Sequence, residues 1–315
     1  LILMPNTELK FIQNKMMPLR INFQEALLHH PNQFRPRFTI QCSMQPFQSN
    51  IKVVVNGAAK EIGRAAVIAV SKARGMEIAG AVDSQFVGED IGKLCDMDEP
   101  LEIPILNDLA MVLGSISQSK ETAVVVDFTD PSSVLENVKQ ATAFGMKSVV
   151  HVPRIKLDTV GALSSFCEKA SMGCLIAPTL SIGSILLQQA AITASFHYNY
   201  VEIVESKENA EDLPSANASQ IAKNLSNLGQ MYNREDEGTD ILARGQVMGE
   251  DGIRVHSMVL PGMPSSTTVY FSAPGELYSV KHDITSVQSL MPGLILAIRK
   301  VVRLKSLVYG LEKFL

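Results

Sequence analysis

The stretch IKVVVNGAAKEIGR, residues 51–64, decides the fold that we predict for this chain. Ile51–Val55 forms an apolar strand, and the turn at Gly57 leads from it into a helix. In nucleotide-binding units of this kind, three glycines serve the tight bend, the approach to pyrophosphate and the packing of helix on strand. Gly57 and Gly63 stand in the first and third places, whereas Lys60 takes the second. The stretch therefore predicts a nucleotide-binding α/β unit with a defect at the phosphate contact.

The side chain of Lys60 leaves two interpretations open. It either crowds the phosphates or, as a cation at a helix N-terminus, pairs with them. In both cases we expect NAD(P)H binding to be weakened rather than abolished. The candidate cofactor-binding residues of the turn are Gly57, Ala58, Lys60, Ile62 and Gly63.

Asp83 follows the predicted strand Met76–Val82 and lies 20 residues after Gly63. An acidic residue near this position binds the ribose hydroxyls of NAD in dinucleotide-binding folds and disfavours NADP. The alternative is that Asp83 caps the next turn, as aspartates at strand ends commonly do. We favour the ribose interpretation.

A second candidate segment closes the predicted strand Ala123–Phe128 and precedes a predicted helix, Pro131–Phe144. Phe128 and Thr129 are expected at the mouth of the cofactor crevice, because ligands bind outside the carboxyl ends of parallel strands. Thr129 or Asp130 is also expected to cap the following helix.

Strands and helices alternate from residue 51 to about residue 177, which predicts a parallel sheet covered by helices on both faces. After Thr179 the period changes, and alternating strands between Ile253 and Val280 predict an α+β domain with a mixed sheet. Over Met291–Leu315 the apolar spacing indicates a helix or a helix pair. The predicted fold class is thus α/β, with a Rossmann-type domain (51–179 plus 292–315) followed by an α+β domain (180–291).

Composition excludes several classes of protein. Hydrophobic residues make up 46% of the 315 residues, enough for buried cores, yet no apolar run reaches the length of a membrane span. Four cysteines without C-x-x-C spacing argue against a disulfide framework or a metal site. Residues 1–50 carry five Lys or Arg against two Glu and are therefore basic. Since the whole chain has a net charge of −4, the remaining residues carry a net charge of about −7. This mildly acidic body gives no electrostatic footprint for nucleic acid.

The first 50 residues do not resemble a folded domain. Short apolar pieces, the segment HHPNQFRPRF and few acidic residues are typical of organelle transit peptides, although serine is scarce. A disordered extension accounts for the composition equally well. Both interpretations place the folded part after residue 50.

Separated motifs in one order carry a family resemblance. They are VVVNGAA, IGR, AVD, VDFTDPS, IAPTLSIG, VEIVE, PSANA, RVHS, FSAPGELYSVKHD and LKSLVYGLEKFL. Together they resemble dihydrodipicolinate reductases, the nicotinamide-dependent reductases of lysine biosynthesis, in their cyanobacterial and chloroplast-like form. The resemblance implies a dinucleotide domain, a substrate and oligomerisation domain, and a last helix that returns to the first domain.

The residues of the family's chemistry are missing. Family members carry a His-His pair, then a Lys, then Asp-Ala-Pro-Ser-Gly-Thr. The resemblance implies that a His and the Lys act around hydride and proton transfer, and that the Gly-Thr amides hold a substrate carboxylate. This chain has Lys207 and Glu208 near the histidine positions, and Glu211 or a gap beside it at the lysine. The segment Ser215, Ala216 and Asn217 remains as a weak anion site. No catalytic residue is assigned. We expect an acidic cluster here that repels a dianionic substrate, formed by Glu202, Glu205, Glu208, Glu211 and Asp212.

Three further departures point to the same loss. His151-Val152-Pro153-Arg154 replaces Gly-Thr-Thr-Gly, Thr179-Leu180 replaces Asn-Phe, and a histidine is lost within residues 265–267. His151 is either a substitute proton donor or a structural group, and we favour the latter. Lys207 is either a displaced general acid or a solvated surface group, and again we favour the latter.

Two functions from different classes follow from these observations. In the first, the chain is a noncatalytic reductase-like protein of the chloroplast stroma, with protein partners in biogenesis of the NAD(P)H dehydrogenase-like complex, as the chlororespiratory-reduction type of this family implies. In the second, it is an active reductase on the family's substrate or a changed one. Packing positions such as Pro178, Gly183 and His282 keep the family pattern, so the scaffold is retained while the site is lost. We favour the first function, with homo-oligomerisation as an open possibility.

Overall fold

The computed structural model describes residues 50–119, 121–210, 213–229, 231–233, 245–248 and 252–315. The chain divides into two compact units, Leu1–Pro46 and Phe47–Leu315, and the described residues all lie in the second. Apart from Asn50, the extension predicted for residues 1–50 lies outside the described residues. Its interpretation as a transit-like segment therefore stays a prediction.

The first sheet has seven parallel strands in the order β12-β6-β5-β4-β1-β2-β3. The strands are β1 (Ile51–Asn56), β2 (Met76–Val82), β3 (Ile105–Leu106), β4 (Ala123–Asp127), β5 (Lys147–Val150), β6 (Cys174–Ile176) and β12 (Leu307–Tyr309). The direction in which strands are added reverses between β1 and β4, and their register places Asn56 beside Asp127. A crevice for a ligand is expected at this switch point, outside the carboxyl ends of the two strands.

Helices cover both faces of this sheet, as the nearly continuous apolar strands predict. They are α1 (Glu61–Lys72), α2 (Ile91–Leu94), α3 (Leu109–Ser117), α4 (Val134–Ala143), α5 (Leu157–Ala170) and α8 (Met291–Val301). Successive β1 side chains point to opposite faces. Val53 and Val55 pack in the core with α1 and α8, whereas Val54 packs with α3.

The second sheet has five strands in the order β11-β10-β7-β9-β8. They are β7 (Tyr200–Lys207), β8 (Gln246–Met248), β9 (Ile253–Val259), β10 (Ser265–Ala273) and β11 (Glu276–Ile284). β7 and β9 are parallel and the other pairs are antiparallel, so the sheet is mixed, as predicted. Helices α6 (Ile182–Ser195) and α7 (Ala216–Ser226) pack on one face of it around a separate apolar core.

The C-terminal segment returns to the first sheet, as predicted, but only part of it is helical. After α8, residues Leu307–Tyr309 form β12, which pairs in parallel with β6, and Leu311–Phe314 form one 3-10 turn. The predicted second helix is therefore wrong. Leu304, Leu307 and Leu311 have a spacing that also fits one face of a helix. Residues Leu307–Tyr309 form a strand instead, because the edge of β6 provides backbone hydrogen-bonding partners for it.

Helix α8 approaches the start of α6 closely at Gly293. A Cβ on Gly293 would overlap the carbonyl oxygen of Leu180 and lie 2.9 Å from the carbonyl carbon. Leu180 precedes α6 and is fully buried. Gly293 thus lets the returning helix pack against the segment that leads into the second sheet.

We expect Gly293→Ala to destabilise the protein by about 1–3 kcal/mol, because overpacking against rigid backbone costs that much. Gly161→Ala is the matched control, since Gly161 also lies in a helix and no atom lies within 4 Å of the added Cβ. This control should stabilise the protein by up to about 1 kcal/mol. Urea unfolding of both variants checks the prediction, and equal effects would contradict the packing role of Gly293.

Candidate functional site

The β1–α1 turn brings the start of α1 against the end of β1. Gly57 has φ +84°, and a Cβ on Gly63 would overlap the carbonyl oxygen of Gly57 and lie 2.8 Å from Cα of Ala58. These are the bend and close-packing roles that the sequence predicts for the two glycines. Ala58 is fully buried and Ile62 packs against the core, so the turn offers backbone rather than these side chains to a ligand.

The ammonium group of Lys60 crosses from this turn to the end of β4. Nζ donates to the carbonyl oxygens of Phe128 at 2.7 Å and Thr129 at 2.9 Å. Both interpretations left open by the sequence place this side chain beside a phosphate. In the structure its ammonium group is bound to two backbone carbonyls instead. Glu61, in the first turn of α1, adds an acidic side chain at the helix end where a phosphate would need positive potential.

The carboxylate of Asp83 is held by two backbone amides. Oδ2 accepts from the amide of Ala59 at 2.9 Å, and Oδ1 accepts from the amide of Gln85 at 3.0 Å. Asp83 thus caps its own turn, the alternative considered from the sequence, and also ties β2 to the β1–α1 turn. Because each carboxylate oxygen has a second lone pair, the predicted ribose contact stays compatible with these bonds.

Asp127 organises the segment after β4. Its Oδ1 accepts from the amide and the hydroxyl of Thr129 at 2.9 and 2.7 Å, and its Oδ2 accepts from Asn137 at 2.9 Å. Burial raises the pKa of the Asp127 carboxyl, and these hydrogen bonds act against that rise. The prediction that Thr129 or Asp130 caps the next helix is wrong. Helix α4 begins after Ser133, because Thr129 is bound to Asp127.

His151 lies beneath the same crevice as a structural group. Its Nδ1 is 2.7 Å from the carbonyl oxygen of Ala177, and its ring meets the buried Phe128 ring edge-on with 6.1 Å between centroids. Burial lowers the pKa of the imidazole, so His151 is neutral at neutral pH and Nδ1 carries the donated proton. This geometry supports the structural interpretation over that of a proton donor.

Glu205 is the buried centre of the second candidate site. Its two carboxylate oxygens lie 2.9 and 3.1 Å from the amide nitrogen of Ser215, which donates to them, and Oε1 accepts from the Ser257 hydroxyl at 2.7 Å. The Ser215 hydroxyl in turn accepts from the amide of Ala218 and caps α7. The backbone amide of Ser215 is thus already hydrogen-bonded to a carboxylate of the chain itself.

Asn217 is likewise engaged within the protein. Its amide nitrogen donates to the Thr267 hydroxyl at 3.0 Å, and its amide oxygen accepts from Gln188 at 3.0 Å. Of the predicted anion site, Ser215 and Asn217 have internal partners, and Ala216 is an exposed first residue of α7. Sequence reasoning missed Gln188 and Thr267, since only the packing of α6, α7 and β10 brings them to Asn217.

The acidic residues predicted to cluster here are separated by the strand. Glu202 and Glu205 lie on opposite faces of β7, because they are three positions apart and successive side chains of a strand alternate in direction. Glu202 pairs with His256 at 2.9 Å, whereas Glu205 accepts from Ser257, the next residue of β9, on the opposite face. Lys207 ends β7 half-buried and Glu208 is exposed, whereas Glu211 and Asp212 lie outside the described residues.

No helix among the described residues is long and apolar enough to cross a membrane. In the same part of the chain, no group of three or more His, Cys, Asp or Glu side chains is placed to hold a metal ion.

A parallel sheet with a topological switch point, followed by an α+β domain with a mixed sheet, is an architecture of the dinucleotide-binding class. Comparison with known proteins specifies the family. Residues 51–180 match "Dihydrodipicolinate reductase, N-terminus" and residues 183–315 match "Dihydrodipicolinate reductase, C-terminus". The chain therefore belongs to the dihydrodipicolinate reductase family.

Two relatives represent two kinds of protein in this family. The "Dihydrodipicolinate reductase-like protein CRR1, chloroplastic" of Arabidopsis thaliana is 75% identical over 289 residues, which cover 92% of this chain and 97% of that protein. The "4-hydroxy-tetrahydrodipicolinate reductase" of Trichormus variabilis is 46% identical over 276 residues, covering 85% and 99%. The chain is thus similar over most of its length to a reductase-like protein and to reductases.

Solved structures agree on the fold. The dipicolinate-bound dihydrodipicolinate reductase from Paenisporosarcina sp. TG-14 has a TM-score of 0.72 at 27% identity, covering 84% of this chain and all of that one. The amine dehydrogenase from Mycobacterium smegmatis has a TM-score of 0.59 at 14% identity, covering 84% and 96%. The second likeness extends to the fold alone.

We expect Lys60→Gly to tighten NADH binding, because it removes the side chain that spans the crevice and restores a small residue at the phosphate contact. Lys60→Met is the matched control, since it removes the charge and keeps the bulk. Calorimetric titration of wild type and both variants measures the effect. Weaker binding by Lys60→Gly would mean that Lys60 pairs with phosphate, and unchanged binding would mean that nucleotide does not use this turn.

Proposed function

We propose that this protein is a noncatalytic member of its family that acts in the chloroplast stroma, in biogenesis of the NAD(P)H dehydrogenase-like complex. The proposal includes protein partners in assembly, self-association through the second domain, and weakened NAD(P)H binding. It also includes the domain boundaries: residues 51–179 and 292–315 form the Rossmann-type domain, and residues 180–291 form the α+β domain. The identity of 75% to a chloroplastic reductase-like protein supports the compartment.

One observation carries the noncatalytic interpretation: donors of the predicted anion site have partners inside the protein. The Ser215 amide donates to Glu205 and the Asn217 amide donates to Thr267. A substrate carboxylate held by the backbone amides of Ala216 and Asn217, which stand at the family's Gly-Thr, would lie beside the Ser215 amide that Glu205 binds, and the two like charges would repel each other. Binding of a dianion at this place is therefore unfavourable before any catalytic group is considered.

Groups for proton transfer are absent from the corresponding positions. Lys207 and Glu208 stand near the family's histidines, and Glu211, outside the described residues, stands near its lysine. His151 is neutral and bound to Ala177, so it does not replace them. Pro153 lacks the backbone amide that the second threonine of the family's turn carries.

An active reductase is the second candidate function, because the glycines of the β1–α1 turn remain and a cyanobacterial reductase is 46% identical over 99% of its length. In that case Lys207 would serve as a displaced proton donor, and the substrate would be the family's own or a changed one. The turnover rate with the family's substrate distinguishes a noncatalytic protein from an active reductase.

We expect purified protein to reduce 4-hydroxy-tetrahydrodipicolinate at least about 10²–10⁴-fold more slowly than the Trichormus enzyme, because general acid catalysis contributes a factor of this size. Consumption of NADH and NADPH is followed in parallel for the two proteins. Comparable rates would contradict the noncatalytic function. A rate restored only with altered substrates would favour the changed reductase.

The assembly role predicts where substitutions matter. Charge reversal at the exposed Glu208, alone and together with Glu211, should reduce accumulation of the dehydrogenase-like complex through the changed local field. His151→Ala should leave accumulation unchanged once its folding has been checked by thermal unfolding. Complementation of a plant line that lacks the protein measures both variants. Loss of the complex with stably folded His151→Ala alone would reinstate a catalytic role.

A further inference from the structure

Basic side chains gather at the edge of the first sheet that lies opposite the β1–α1 turn. Three segments that precede parallel strands carry them: residues 72–74 before β2, residue 147 at the start of β5, and residues 299–306 before β12. The last segment, RKVVRLKS, contains four Lys or Arg and no acidic residue. We call this group of side chains the basic edge, and it comprises Lys72, Arg74, Lys147, Arg299, Arg303 and Lys305.

Hydrogen bonds between the segments bring these cations together. Nη2 of Arg299 donates to the carbonyl oxygen of Arg74 at 3.5 Å, which joins the end of α8 to the turn before β2. Nζ of Lys147 donates to the carbonyl oxygen of Val302, which joins β5 to the segment after α8. All members of the basic edge are exposed except Lys147, which is half-buried. The basic edge is therefore one continuous surface rather than a set of scattered charges.

The acidic side chains at the same edge of the sheet do not neutralise it. Glu77 and Glu121 both pair with Lys52, at 3.9 and 2.7 Å, and Glu168 at the end of α5 is followed by Lys169. No ion pair between described residues includes a member of the basic edge. Its positive charge stands out all the more because residues 51–315 carry a net negative charge.

Helix ends account for part of this charge. Lys72 and Arg299 lie in the last turns of α1 and α8, where a cation interacts favourably with the helix dipole. Arg303 and Lys305 lie beyond α8, where the dipole no longer favours them. Burial and the like charge of Lys305 lower the pKa of Lys147. The protein thus keeps cations close together at a cost that an anionic partner would offset.

The width of the basic edge excludes a single small anion as its partner. Strands β2 and β12 are five places apart in the sheet, so the segments before them are roughly 24 Å apart at ~4.8 Å per strand. One phosphate or carboxylate cannot contact cations at both ends of that distance. A surface of macromolecular size with several negative charges fits it.

The side chains of the basic edge favour a protein over a membrane or a nucleic acid. None of the large apolar side chains exposed among the described residues lies in its three segments. A polybasic patch without an apolar or lipid anchor does not hold a protein stably on a membrane. The segments also lack an aromatic ring on which a base could stack. Three of the six cations are arginines, whose guanidinium groups bind carboxylates through two parallel hydrogen bonds.

We propose that the basic edge docks an acidic face of a protein partner. Carboxylates of that face bind Arg74, Arg299 and Arg303, and the lysines add the long-range attraction that speeds association. The proposal rests on the proposed assembly role, because it names a surface and a chemistry for one of the partners. It is independent of whether the protein turns over a substrate.

Labelled poly-L-glutamate is the probe for this surface, and its binding to the full chain is followed by fluorescence anisotropy. The triple variant Arg299→Gln, Arg303→Gln, Lys305→Gln should bind it roughly 3- to 150-fold more weakly, as expected for the loss of three exposed ion pairs. Raising the salt from about 0.1 M to about 1 M should remove binding by wild type, because the screening length falls from ~10 Å to ~3 Å. Binding that ignores salt overturns the proposal.

A second triple variant controls for net charge. Lys93→Gln, Lys139→Gln, Lys223→Gln removes three exposed cations from α2, α4 and α7, and it should bind poly-L-glutamate like wild type. Thermal unfolding of both triple variants checks that they are folded. Equal affinities of the two variants overturn the proposal, because the position of the cations would then be irrelevant.

Vesicles that contain phosphatidylglycerol and a DNA duplex represent the other two classes of anionic partner. Wild type should bind both more weakly than poly-L-glutamate at the same salt. Tighter binding to either one that is lost in the Arg299, Arg303, Lys305 variant overturns the assignment to a protein.

Complementation of a plant line that lacks the protein separates this proposal from the assembly role. The Arg299, Arg303, Lys305 variant should lower accumulation of the dehydrogenase-like complex, and the Lys93, Lys139, Lys223 variant should restore it like wild type. Full restoration by both variants overturns the docking surface and leaves the assembly role standing. Failure of wild type itself overturns the assembly role and the docking surface together.

Discussion

The contact between the start of α1 and the end of β1 sets the geometry of the first domain. Because Gly63 has no side chain, α1 begins in van der Waals contact with the Gly57 turn, and β1 lies beside β4 at the switch point. This fixes Lys60 at the tip of the turn, where it reaches the carbonyls that follow β4. The close packing of α1 on β1 thus positions the side chain that links the β1–α1 turn to the end of β4.

In the second domain, too, side chains and amides of the predicted site are bound by other residues of the chain. A buried carboxylate, Glu205, binds the start of α7, and Asn217 joins α6 and β10 through Gln188 and Thr267. Buried polar groups must be paired, and here the pairs are internal, so these groups remain satisfied without a substrate.

Much of this architecture was readable from the sequence, and the limits of that reading have physical causes. The apolar strands and the glycine turn predicted the parallel sheet, because both signals are local. The partners of Lys60 and Asn217 lie 68 and 50 residues away along the chain, and only tertiary packing brings them together. β12 was missed because its apolar residues also fit a helical spacing, and the edge of β6 decided between the two.

Our central proposal is that the buried Glu205 carboxylate, bound at the start of α7, disfavours a substrate carboxylate there. Titration of the full chain with dipicolinate, the ligand bound to the Paenisporosarcina reductase, tests it most directly when that reductase is titrated beside it. The account predicts binding to the reductase and no measurable binding to this protein. Binding of dipicolinate with the affinity of the reductase would contradict it.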